Sequence, residues 1–330
     1  MVTFFTAVFM LNSNLVYKEK LETHEVAAHA AQTHHLWGSS LSLEERTVKL
    51  QDWLSRFSPI FWMSGLTDEK GNLVTSLKRY YYTVVLNNRS YQCLGIGAVY
   101  TIEQYSRQGQ AAKLIEEVCR QSKSGMSTQL AMLYSDIEPA YYQRLGFHLL
   151  PSSSVRLKLE QIVTPKGQHD WDTNLPKDHH CGPEMAQFFS KLQERPSSLT
   201  TVRNVTDWNM FKLINGLNDD QSNEAILRTD GEIVAHLTFS EIPDKKMLWV
   251  EELLHLPGME VALQVAFKNL LEKKNLDVLA SWHTGLKSLN LPAETLNRKS
   301  AIGMMRVLDS EIELSPKDLE TADFQSLHHF

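Results

Sequence analysis

The stretch Val99–Ile115, VYTIEQYSRQGQAAKLI, constrains this chain more than any other. It starts as the end of an apolar strand, Cys93–Tyr100 (CLGIGAVY), and passes through a short polar connection. It then enters a helix whose first turn is expected at Gly109, Gln110, Ala111 and Ala112. Small residues at a helix start leave several backbone N–H groups unpaired at the positive end of the dipole. That arrangement holds a phosphate or pyrophosphate without a cationic side chain. By itself the stretch specifies an anionic ligand and no more.

The segments on either side supply the fold. A strand is expected near Leu15–Leu21, then helices at His24–His35 and Ser42–Phe57, the second capped by Ser42 or Ser40. Apolar, β-rich runs follow at Ile60–Thr67, Leu73–Leu86 and Ser90–Thr101, the first two joined by a turn at 68–72. The opening helix is expected to run through Arg120 and to break at Gly125–Thr128. Gln129–Ile137 is an apolar run of strand length. Pro139 suits a first helical position, Ala140–Leu145 a short helix and Gly146 its left-handed end. Phe147–Leu150 and Val155–Leu159 complete the half as strands, an order that reads as an α/β sandwich.

Between residues 161 and 199 the composition turns to Pro, Lys, His, Asp and Gly, with one helical patch at Glu184–Gln193. A second folded unit is expected from 200 to 310. It has a helix at Trp208–Leu217, strands at Glu224–Arg228, Ile233–Phe239 and Met247–Leu256, and a helix at Glu260–Lys274. Strands at Leu276–Trp282 and Gly303–Leu308 complete it. Its middle repeats the meander, helix, strand order of the first half. The tail from 311 to 330 is acidic and polar and is assigned no element.

Composition excludes several function classes. With 330 residues, 42% of them apolar, the chain is long enough for two domains. A net charge of −6 and the lack of a basic stripe argue against nucleic acid as a partner. The apolar start MVTFFTAVFML is too short to span a bilayer and lacks the basic flank of a signal peptide, so no membrane partner and a cytoplasmic location are expected. Three scattered cysteines suit a reducing compartment. His169, Asp170 and Asp178–Cys181 match no zinc spacing, and no metal site is assigned.

Two segments carry a resemblance to a known family. Ser106-Arg107-Gln108-Gly109-Gln110-Ala111 resembles the Gln/Arg-x-x-Gly-x-Gly/Ala signature of the GNAT superfamily of acyl-CoA-dependent N-acyltransferases, with Ser106 where the signature has Gln or Arg. Tyr141-Tyr142-Gln143-Arg144-Leu145-Gly146-Phe147 resembles the segment that follows that family's next strand. The resemblance implies a mixed sheet with flanking helices, an acetyl-CoA-binding domain at 1–160, a linker at 161–199 and a degenerate GNAT-like domain at 200–310. It implies acetyl-CoA as co-substrate and a primary amine as acceptor: a small cationic amine, a free lysine-like amino acid or a protein lysine. The backbone of Val99, Tyr100 and Thr101 would then pair with the pantetheine arm. That of Arg107, Gln108, Gly109, Gln110, Ala111 and Ala112 would hold the pyrophosphate, and Tyr142 would donate a proton to the departing thiolate. Asp136 and Glu138, with Glu103 as a further option, are the candidates for the base.

A looser resemblance, to the fungal lysine N-acetyltransferases, rests on Gly97–Thr101, Leu133–Asp136, Ser281-Trp282-His283 and Arg298. The second half has only Leu256-Pro257-Gly258-Met259-Glu260 between strand and helix. The acid at that helix start competes with an anion, so no CoA site is expected there. A different class also fits: a catalytically silent CoA-binding sensor, favoured by Ser106 and by the unassigned base.

Overall fold

The computed structural model describes residues 14–37, 41–86, 89–162, 169–175, 182–193, 200–201, 209–210, 222–282, 286, 289, 291–320 and 322. The expected features at the apolar start, at Trp208–Leu217 apart from 209–210, and at 178–181 lie outside these residues. By its contacts the chain divides into two compact units, Met1–Arg79 with Ala98–Arg120, and Tyr80–Gly97 with Gln121–Phe330.

In the first unit, α1 (Thr23–Trp37) leads to α2 (Leu43–Phe57). Ser42 is the cap of α2. Its hydroxyl accepts from the Glu45 N–H at 3.2 Å, and the Glu45 carboxylate accepts from the Ser42 N–H at 2.8 Å. Leu50, Trp53 and Phe57 then fall on one buried face. The strand order is β1 (Val16–Lys18), β2 (Phe61–Thr67), β3 (Leu73–Leu86) and β4 (Arg89–Thr101), of which the stretch Tyr80–Gly97 counts with the second unit. The β2–β3 turn is tied by the Asp68 carboxylate, which accepts from the N–H groups of Lys70 and Asn72, while Gly71 takes φ +82°. Helix α3 (Gln110–Met126) starts here, one residue later than expected and extending beyond Arg120. A glycine one residue from a helix end weakens it too little to stop it. Ser127 at φ +49° does so instead.

In the second unit, β5 (Leu130–Ser135) runs parallel to β4, from Cys93↔Leu130 to Ile96↔Leu133. The short helix α4 (Ala140–Gln143) and β6 (His148–Leu149) follow. The later elements are β7 (Ser153–Lys158), α5 (Pro183–Gln193), β8 (Thr200–Thr201), β9 (Ser222–Thr229), β10 (Glu232–Ile242) and β11 (Met247–His255). After them come α6 (Glu260–Lys273), β12 (Val278–Trp282), β13 (Glu294–Asn297), β14 (Ile302–Val307) and α7 (Pro316–Glu320). Neither β13 nor α7 was expected. The latter is capped by Ser315, whose hydroxyl and N–H both bond the Asp318 carboxylate.

Two strands sit where their chain order does not put them. β7 follows the first half but lies in the second sheet, ordered β13-β7-β12-β11-β10-β9, where Val155 and Leu157 join the core with Phe239, Leu253 and Phe267. β14 comes last but inserts between β5 and β6, antiparallel to both. Met304 and Met305 are fully buried there, and Gly303 lets the Leu150 and Tyr134 side chains close over it. Strand length and pattern are local signals. Sheet membership depends on partners far away in sequence.

Candidate functional site

The first unit holds the candidate anion cradle. At mid-strand, just past the end of the β4–β5 ladder, Ala98 takes φ +47°. A left-handed non-glycine residue inside a strand bends it and redirects the backbone that follows. Beyond the bend, the Tyr100 carbonyl accepts from the Thr75 hydroxyl at 2.7 Å and the Ile102 N–H donates to the Val74 carbonyl at 3.0 Å. Main-chain groups alternate sides along a strand, so those of Val99 and Thr101 point away from β3. Of the three residues expected to pair with a ligand arm, Tyr100 has its carbonyl already engaged.

A single turn at Glu103–Tyr105 leads to Ser106 and an exposed bend with Arg107 at φ +59° and Gly109 at φ +78°. Among the described residues nothing lies within 4 Å of where a Gly109 side chain would begin, so the glycine is required by its backbone angle. The Gly109 carbonyl accepts the first helical bond, from the Lys113 N–H at 3.0 Å. Gln110, Ala111 and Ala112 are therefore the orphan donors of the first turn. No acid lies in that turn. The Gln110 side chain is buried, which leaves only its N–H for the cradle. Gln108 folds back to donate to the Gln104 carbonyl at 2.9 Å. Backbone N–H groups at a helix start with two left-handed residues before it form an anion-binding concavity, which fits a pyrophosphate.

The second unit holds the candidate acid. Pro139 opens α4, and the Tyr142 ring packs edge-on against Tyr141 (5.0 Å between centroids) and Phe147 (6.1 Å). The carbonyl of Tyr142 accepts from both Leu145 and Phe147, and Gly146 turns at φ +79° between them. Burial pushes the Tyr142 phenol up to about 12, with smaller pushes from Tyr141 and from the Asp136 charge. A phenol so placed keeps its proton at neutral pH, as a candidate general acid must.

The base candidates look different. Asp136 and Glu138 are both exposed, and the Asp136 carboxylate already accepts from the Ala301 N–H at 2.8 Å. That bond ties the end of β5 to the loop before β14 and gives Asp136 a structural task that sequence reading missed. No local signal in the sequence announces it, because the left-handed backbone at Ala301 is seen only in the folded chain. Glu103, the further option, is exposed in the first unit. Of the expected linker cluster, His169 and Asp170 are described, and both bond Asn269. Among the described residues no three His, Cys, Asp or Glu side chains group as metal ligands. No helix among them is long and apolar enough to cross a membrane.

Residues 27–150 match the family model of an acetyltransferase (GNAT) domain. Similar solved structures include a GCN5-related N-acetyltransferase from Anabaena variabilis at 15% identity, covering 89% of this chain and 73% of that one with a TM-score of 0.67. A probable N-acyltransferase from Enterococcus faecalis is 14% identical, covering 90% and 73% with a TM-score of 0.68. Eis1 from Mycobacterium abscessus is 12% identical, covering 90% and 74% with a TM-score of 0.58. At these identities the likeness is one of fold. No curated protein matches the sequence.

Proposed function

We infer that this chain, a GNAT acetyltransferase by its residues 27–150, moves an acetyl group from acetyl-CoA to a primary amine. The observation that carries the reading is the acid-free first turn of α3 behind the left-handed Arg107 and Gly109. Acetyl-CoA would supply the activated thioester. The N–H groups of Gly109, Gln110, Ala111 and Ala112 hold its pyrophosphate, with Arg107 and Gln108 shaping the bend. Val99 and Thr101 offer main-chain groups to its arm, beside Tyr100. The amine nitrogen attacks the thioester carbonyl, the carbon–sulfur bond breaks, and Tyr142 returns a proton to the sulfur. Asp136 and Glu138 are the acids nearest in sequence to Tyr142 and are the groups we assign to the amine proton, directly or through water.

In this reading the halves 1–160 and 200–310, joined by 161–199, each lend one strand to the other's sheet. Only the first takes the cofactor. The protein works in the cytoplasm on a small amine or a protein lysine. The engagement of Asp136 by Ala301 favours a second reading, a CoA-binding sensor without turnover. Release of free thiol from acetyl-CoA across a panel of amines separates the two. Amine-dependent release supports the enzyme, whereas tight acetyl-CoA binding with no acceleration by any amine leaves the sensor.

A further inference from the structure

Within the first unit like charges gather around one lysine. Lys78 lies half-buried on β3. Its Nζ is 5.5 Å from the centroid of the Trp53 ring on α2, and Lys49 of the same helix sets its own Nζ 5.4 Å from that ring. Arg46, one turn before Lys49, is buried and fixed. Its Nη1 donates to the Ala30 carbonyl at 3.2 Å and its Nη2 to the Thr33 hydroxyl at 2.7 Å, both on α1. The same helix supplies His29, whose Nδ1 lies 2.8 Å from the hydroxyl of Ser76, two residues before Lys78 on one face of β3. β2 and the Ala98–Thr101 end of β4, the strands that flank β3, carry no charged side chain. The Thr75 and Thr101 hydroxyls meet at 2.8 Å and the Ile102 N–H bonds Val74. Counting along the two strands then puts Lys78 level with Ala98, at the bend.

The crowding shows in two groups. Burial, and then the charges of Arg46 and Lys49, brings the Lys78 ammonium down to about 8. Burial, and then the charges of Lys78 and Arg46, brings the His29 imidazole down to about 3, so it stays neutral and adds no charge of its own. An ammonium that leaves water for a place where its charged neighbours are also cations holds its proton weakly. At pH 7 about a tenth of such a lysine is the free amine, against less than about a thousandth of an ordinary one. A free amine is a nucleophile, and a stem packed on an aromatic face holds it in place. Acylation would remove one of three crowded charges, which favours the product. The unit that carries Lys78 also carries the candidate cradle for acetyl-CoA, so the donor is at hand.

We propose that Lys78, set against Trp53 beside Arg46 and Lys49, is an acetylation site of this protein, its side-chain nitrogen taking the acetyl group of acetyl-CoA. The nitrogen attacks the thioester carbonyl, the carbon–nitrogen bond forms as the carbon–sulfur bond breaks, and the proton lost from nitrogen ends on the CoA sulfur. This rests on the reading that acetyl-CoA binds this unit. In the test the full chain is incubated without any added amine, and acetylation of each lysine is followed by peptide mass spectrometry. Acetyl-CoA is used in one series and N-hydroxysuccinimidyl acetate, which needs no cradle, in the other. With both reagents Lys78 is expected to react at least about tenfold faster than the exposed Lys70 and Lys123 at pH 7. Lys49→Gln takes away one of the like charges and is expected to slow Lys78 at least about twofold. Lys78 reacting no faster than Lys70 and Lys123, or faster but unaltered in Lys49→Gln, overturns the proposal. Fast reaction with the ester but none with acetyl-CoA overturns it as well, since the amine is then closed to this donor. Gly109→Glu separates the site from the cradle. Loss of the fast reaction with acetyl-CoA but not with the ester upholds both, whereas a rate retained with acetyl-CoA upholds the Lys78 site and counts against the cradle alone.

Discussion

Two junctions in this molecule have the same topology and opposite chemistry. β4 leads into α3 and on to its parallel partner β5. β11 leads into α6 and on to its parallel partner β12. Before α3 the chain takes a long bend with two left-handed residues and reaches a helix turn with no acid. Before α6 only residues 256–259 intervene, and the Glu260 carboxylate folds back to within 3.3 Å of the Gly258 N–H. An anion supplied by the protein itself takes the place that a pyrophosphate takes in our reading of α3. The difference teaches that a duplicated fold retains its layers while a handful of residues decide whether a helix start is open to ligand.

The sharpest way to break that comparison is a matched pair of substitutions. Gly109→Glu puts a charged side chain at the open approach and strains φ +78°. It is expected to weaken acetyl-CoA binding by at least about a hundredfold in calorimetry. Gly258→Glu, at φ +81° with equally open surroundings, is expected to leave that affinity unchanged. Equal losses in the two variants would mean that the second junction takes part after all.

The halves differ in their candidate acid too, since every tyrosine of the chain lies at or before Tyr142. Tyr142→Phe is expected to lower kcat about 10²- to 10⁴-fold with acetyl-CoA affinity nearly intact. Because the phenol sits at about 12, the wild-type rate should show no loss attributable to its ionisation below about pH 11. A basic limb near pH 10 that disappears in Tyr142→Phe would contradict its buried environment.

The contrast also shows what a sequence can carry. Gly109 and Gly146 announce left-handed turns, Ser42 and Glu45 announce a helix start, and apolar runs announce strands. Each signal is local, and among the described residues the helices and strands that carry one lie within a few residues of it. Nothing local says that β14 inserts beside β5 or that β7 crosses to the second sheet, because those choices are made by burial of Met304, Met305, Val155 and Leu157 against distant partners. The same holds for the candidate site. The turns at Gly109 and Gly146, which frame the candidate cradle and the segment of Tyr142, were legible as local glycine signals. The engagement of Asp136 with Ala301 arises only when residues more than a hundred positions apart meet in space.

Asp136 lets the strand exchange and the chemistry be pulled apart. Asp136→Asn keeps an oxygen for the Ala301 N–H and removes the charge, whereas Asp136→Ala removes both. Loss of that anchoring bond in Asp136→Ala is expected to cost about 1–2 kcal/mol of stability, read by urea unfolding, with Asp136→Asn closer to wild type. If Asp136 is also the base, Asp136→Asn will be nearly as slow as Asp136→Ala despite its restored stability. Recovery of turnover in Asp136→Asn would instead assign the proton to Glu138.

The smallest expected effect is at the second junction itself. Glu260→Gln removes the charge at the start of α6 and keeps a hydrogen-bonding oxygen near Gly258. The favourable interaction of that carboxylate with the helix dipole is worth about 0.3–1 kcal/mol at an exposed site, and the thermal midpoint should fall only slightly. Acetyl-CoA should still bind with a stoichiometry of one, since the short 256–259 connection lacks the bend that precedes α3. A second equivalent bound by Glu260→Gln would show that the carboxylate alone had closed a site whose geometry was otherwise intact, and the two junctions would then differ by a charge and not by their backbones.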